Sequence, residues 1–296
     1  MNSNKLTIKN SSLAFVIGFL LCQTSVILAV CFSYIGYRLL NFNPDEFDSF
    51  LNGSIGYMIQ ILTLYLTMLL VFLFFNKGKE NRITQKVKIK KVLLYICVAI
   101  ISFLTLYPII TCFDSFIIKL GARINTLSYP LTTKNYFISL ISLVVAPAIC
   151  EELLFRGLIF KGLKKHGKIF SVLISSLMFT LYHMAISQTL YPLLMGLILG
   201  VIMYYEDNIY YCIAVHLTNN FLSLTLSYFK INLIFNHWSY IVLAIILLVG
   251  FLAIALSFVV KNRKQQEKQT LSKTDKHYLF LSLGIMIILW ILSNFA

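Results

Sequence analysis

Runs of about twenty apolar residues recur along this chain between short polar connectors, and that is the length a helix needs to cross a bilayer. Nine such segments fall at 12–37, 54–76, 92–112, 135–160, 169–186, 190–205, 209–228, 238–260 and 278–296. Composition agrees: only 12% of the residues are charged, where a soluble domain carries about 25%. The expected fold class is all-α, a polytopic transmembrane helical bundle of about nine membrane spans, with eight as the alternative count. No fixed-period repeat, low-complexity tract or long soluble linker interrupts the chain, so residues 1–296 read as a single membrane domain.

Charge orients the bundle. Nineteen of the 25 Lys and Arg residues fall in 1–11, 77–91, 161–168, 206–208 and 261–277, against five in the alternate connectors. Cytoplasmic loops carry the basic excess. A multi-pass protein of the cell membrane is expected, with the amino terminus cytoplasmic and the carboxyl terminus outside. The net charge of +14 then serves orientation and contact with the anionic lipid bilayer. Without aromatic-basic interleaving or zinc-finger spacing, no nucleic-acid partner is expected. The six cysteines lie in or beside apolar runs and form no CxxC pair, which predicts neither a disulfide framework nor a thiolate metal site.

Nine of the eleven acidic residues reach connectors or segment ends; Glu151 and Glu152, in C-E-E-L-L-F-R (150–156), do not. An acid at mid-membrane costs about 3 kcal/mol, so two together need compensation or a task. Glu152 and Arg156 are four residues apart, acid first, the better orientation for a helical ion pair. Glu151 points about 100° away around the helix, without that partner, and is the better general base. Pro147, one turn earlier, weakens the helix and is expected to help open a cavity there.

Of five histidines, His166, His237 and His277 fall in connectors or at an interface, and are expected to be solvated. His183, in F-T-L-Y-H (179–183), and His216, in H-L-T-N-N (216–220), lie within apolar segments. His216 and Asn220 share a helix face, where imidazole and amide N–H groups can donate to a developing oxyanion. Asn219 faces elsewhere and suits an interhelical hydrogen bond. One geometric tension remains. At 1.5 Å per residue, Glu151 lies about 24 Å from the outer end of its segment and His183 about 21 Å from the inner end of its own. Levelling them requires the 169–186 segment to be tilted or to start below the membrane surface.

E-E-L-L-F-R, F-T-L-Y-H and H-L-T-N-N resemble, in order, the EExxxR, FxxxH and HxxxN motifs of the CPBP family (CAAX proteases and bacteriocin-processing enzymes, also called Abi). The resemblance covers a core at 135–228, with 1–134 and 229–296 as flanking transmembrane helices. It implies an intramembrane endopeptidase in which Glu151 and His183 activate a water, while His216 and Asn220 stabilise the tetrahedral oxyanion. Glu152, Arg156 and Phe179 are then supporting residues. The implied substrate is a peptide or membrane-protein precursor, of CAAX, bacteriocin or signalling-peptide type, or one connected with self-immunity. A metal-free glutamate mechanism is favoured, so no cofactor is required; if zinc is bound, Glu151, His183 and His216 are its ligands. The alternatives are a non-catalytic membrane scaffold or immunity protein of the same fold and, behind it, a proton-coupled transporter. Cys150 as nucleophile is a minor reading.

Overall fold

The computed structural model describes residues 5–40, 44–51, 53–79, 86–121, 133–231 and 269–295, with isolated positions between 242 and 249. Among the described residues every regular element is helical. The helices are α1 (Ile8–Leu39), α2 (Pro44–Leu51), α3 (Ser54–Asn76), α4 (Ile89–Lys119), α5 (Asn135–His166), α6 (Lys168–Tyr182), α7 (Leu190–Glu206), α8 (Ile209–Tyr228) and α9 (Lys273–Phe295). Eight of the nine expected segments are thus helices; the segment at 238–260 lies outside the described residues apart from the isolated positions. Among the described residues six helices are long and apolar enough to cross a membrane: α1, α3, α4, α5, α7 with its preceding turn, and α9. The chain is an all-α, multi-pass membrane protein.

Helix ends follow local chemistry. A capping box starts α1 four residues before the expected edge: Thr7 Oγ1 accepts from Asn10 N–H and Asn10 Oδ1 accepts from Thr7 N–H, each at 3.3 Å. The connector between α1 and α3 holds α2, with Pro44 at its first position, where a missing N–H costs nothing. Phe47 and Phe50 of α2 pack on Tyr34 and Tyr37 of α1.

Two apolar clusters form the core, and α5 contributes to both. One joins Phe15 and Phe19 (α1), Met68 and Phe72 (α3), Leu154 and Leu158 (α5), Met178 (α6) and Met286 (α9). The other joins Leu106 (α4), Phe160 (α5), Val172 (α6), Leu199 and Met203 (α7), and Cys212 and Val215 (α8). Helices α6 and α7 approach closely at Gly196, where a Cβ would stand 3.0 Å from Ser176 Cα. Small residues permit such contacts where packing, rather than water exclusion, drives helix association.

The described parts of the five connectors expected on the cytoplasmic side meet at one end of the bundle. Lys91 pairs with Glu206, and Lys164 with Asp207 at 2.7 Å. Gln269 N–H donates to Lys165 O at 3.3 Å, and Lys9 Nζ lies 5.0 Å from the Tyr278 ring. This packing corrects one expectation: His166 is buried, its Nδ1 2.8 Å from Gln269 O. His277 is exposed, and His237 lies outside the described residues.

The fifth segment, expected over 169–186, is shorter. Helix α6 ends at Tyr182, with His183 as its C-cap and Met184 at φ +53°. Its 15 residues rise about 22 Å, short of the roughly 30 Å hydrocarbon core. Helix α5 runs on to His166, so Glu151 and His183 each lie sixteen residues from Gly167, the residue between the two helices, which relieves the tension over their relative depth.

Candidate active site

Helix α5 carries the two glutamates on a short α-helical turn, Ala146–Glu152, flanked by wide π-helical stretches at Leu140–Val145 and Leu153–Phe160. Proline cannot donate to the preceding carbonyl ladder, and a wide stretch beside Pro147 accommodates that loss. Such π stretches recur at functional sites. Pro147 lines a cavity of about 280 Å³.

That cavity draws on five helices, α3, α5, α6, α7 and α8, and a turn. Glu151 comes from α5, Phe179 and the cap residue His183 from the end of α6, His216 and Asn220 from α8, and Tyr65 from α3. At about 30 Å³ per water, it has room for several waters or for a short stretch of peptide. All four residues carrying the expected chemistry therefore line one cavity. Cys150, the minor nucleophile reading, is absent from its lining.

Glu152 and Arg156 are fully buried. Arg156 Nη1 donates to Glu152 Oε1 at 3.1 Å and Nη2 to Gly196 O at 3.4 Å. The guanidinium carbon lies 4.5 Å from the Phe179 ring centroid, a cation–π contact that fixes Phe179 in the cavity wall. The same Glu152 oxygen takes a second partner, His216 Nδ1 at 2.8 Å. An ionised carboxylate only accepts, so Nδ1 carries a proton and Nε2 is the atom turned toward Glu151, with Oε2 3.9 Å away. A water about 2.8 Å from each atom fits across that gap.

His183 is oriented in the same manner. Its Nδ1 lies 2.9 Å from Phe179 O; a carbonyl only accepts, so Nδ1 carries the proton and Nε2 keeps its lone pair. Phe179 stands edge-on to both imidazoles, 4.9 Å from His183 and 6.1 Å from His216 between ring centroids.

Two features differ from the sequence reading. Glu151 is not without a partner: Tyr65 O–H donates to its Oε1 at 3.1 Å. Tyr65 lies on α3, 86 residues away, and a tyrosine in an apolar run carries no spacing signal that ties it to α5. Asn219 makes the expected interhelical bond, accepting from Tyr191 O–H at 3.0 Å, but it also lines the cavity. The residues named for zinc do not fit an ion as they stand. Among the described residues no three His, Cys, Asp or Glu side chains converge as a ligand set.

Fold and site together define a polytopic membrane protein with a polar, imidazole-lined cavity inside its helical core. Residues 133–222 match the family model described as Type II CAAX prenyl endopeptidase Rce1-like. The match bears out the resemblance to the CPBP family and supports a membrane endopeptidase. No curated protein and no solved structure matches the chain.

Proposed function

We propose that this protein is an intramembrane endopeptidase of the cell membrane, its amino-terminal end cytoplasmic, hydrolysing a peptide bond in a membrane-associated protein or peptide precursor. One observation carries the reading: a single cavity lined by Glu151, His183, His216 and Asn220. Glu151 takes a proton from a water that His183 Nε2 helps to hold. The resulting hydroxide adds to the scissile carbonyl carbon. The oxyanion accepts hydrogen bonds from Asn220 Nδ2–H and from His216 Nε2–H of a ring protonated on both nitrogens. Glu152, accepting from Nδ1–H, stabilises that ring. Glu151 then returns its proton to the departing amine nitrogen as the C–N bond breaks. Tyr65 holds the Glu151 carboxylate toward the water. This chemistry needs no metal.

The substrate class that suits the site is a short, extended segment presented beside the membrane, as in a prenylated CAAX-type tail or a small peptide precursor. The test uses purified protein in lipid nanodiscs and an internally quenched, farnesylated CAAX-type peptide. Wild type should cut it, and Glu151→Gln should lose about 10²- to 10⁴-fold in kcat, the contribution of a general base. Pretreatment with a metal chelator should leave the wild-type rate unchanged. Comparing the peptides of cells carrying wild-type or Glu151→Gln protein would then find the natural cut site. Equal cleavage by the Glu151→Gln protein would refute the mechanism.

A further inference from the structure

The turn that carries His183 is held from outside the family-matched core. Residues 183–189 leave α-helical geometry about 22 Å from the basic end of the bundle, at 1.5 Å per residue of α6. Non-helical backbone at membrane depth persists only where protein satisfies its polar groups. Here α9 does so. Asn294 Oδ1 accepts from Ile186 N–H at 2.7 Å. Asn294 Nδ2 donates to Met184 O at 3.1 Å and to Trp290 O at 2.7 Å, and Ser293 Oγ donates to Met184 O at 2.8 Å. Because a backbone N–H can only donate, the Ile186 bond fixes which way the amide faces, and all of its hydrogens then find acceptors.

The residue being held is strained. Met184 has φ +53°, a left-handed conformation that is unfavourable for a side-chain-bearing residue and survives where its surroundings over-determine it. It directly follows His183, and Gln188, two residues beyond Ile186, lines the cavity beside His183. We propose that Asn294, with Ser293 beside it, is a positioning residue for the active site: it latches the 183–188 turn and so sets where His183 Nε2 stands over the cavity. The proposal rests on the proteolytic reading above for its kinetic consequence. Its structural half can be measured without any substrate.

The experiment compares wild type, Asn294→Leu and Met286→Ala in nanodiscs, each corrected for folded fraction. Met286 is a fully buried packing residue of the same helix that has no role in the latch. With the quenched farnesylated peptide, Asn294→Leu should lower kcat tenfold or more with KM within twofold, because the cavity remains while His183 drifts. Met286→Ala should lower thermal stability and leave kcat unchanged. In hydrogen exchange, the Ile186 amide should exchange at least tenfold faster in Asn294→Leu and not in Met286→Ala. Wild-type kcat in folded Asn294→Leu, or an unchanged Ile186 amide, would overturn the latch. A probe left intact by wild type would sink the proteolytic reading instead, and amide exchange would then decide the latch alone.

Discussion

The buried pair beneath the cavity makes the sharpest quantitative prediction. Glu152 and Arg156 are both fully buried, 3.1 Å apart. Removing one partner of such a pair costs about 3–5 kcal/mol, because the other charge is left uncompensated. Arg156→Met keeps an unbranched apolar stem but removes the cation from Glu152, along with the contacts to Gly196 O and the Phe179 ring. Glu152 still faces His216 Nδ1 at 2.8 Å, which argues for the lower end, about 3 kcal/mol, or roughly a hundredfold in the folding equilibrium. Glu152→Gln strands Arg156 and should cost a similar amount. Independent effects would give the double variant a loss of about 6 kcal/mol. With both charges gone nothing is stranded, so a loss near 3 kcal/mol and a coupling of about 3 kcal/mol are expected. Reversible unfolding in mixed micelles, with SDS titrated into a mild detergent, supplies all four corners of the cycle. Losses that add to within about 0.5 kcal/mol would refute the pairing and leave only packing at this position.

Tyr65→Phe removes a hydrogen bond to a charged group, worth about 1.5–3 kcal/mol, and should lower kcat at least tenfold on the quenched farnesylated peptide; an unchanged kcat would remove Tyr65 from the site. Gly196→Ala places a Cβ 3.0 Å from Ser176 Cα, so α6 and α7 must part, at a cost of about 1–3 kcal/mol read as a lower unfolding midpoint in detergent. Cys150→Ser should leave cleavage as it is, and its loss would revive the thiol as a reacting group.

Much of the site can be read from sequence because its chemistry conflicts with its surroundings. Two acids, an arginine and two histidines inside apolar runs cannot be explained by solvation, and helical spacing alone pairs Glu152 with Arg156. What spacing within one helix cannot supply is rotation between helices. That His216 turns its Nδ1 onto Glu152, and that Tyr65 reaches Glu151, depend on how α8 and α3 sit against α5. The early end of α6 escapes notice for a related reason: Met184-Ala185-Ile186 is apolar, and hydropathy does not register a left-handed residue. Burial of His166 is not legible because a basic connector reads as exposed until a second connector packs over it.

The wide turns on either side of Ala146–Glu152 bear on how this helix can gain and lose residues over evolution. An i→i+5 bond encloses one residue more than an α-turn. Losing a single residue from Leu140–Val145 can therefore tighten that stretch to ordinary α geometry and leave the remainder of the axis aligned. Between Ala146 and Glu152 there is no such slack, and the same deletion would swing Glu151 by about 100°, out of reach of Tyr65 and His216. One-residue gaps among descendants of this sequence should gather in the upstream wide stretch and spare the tight one, a pattern of tolerated length change that marks which turns of the helix hold the glutamates in register.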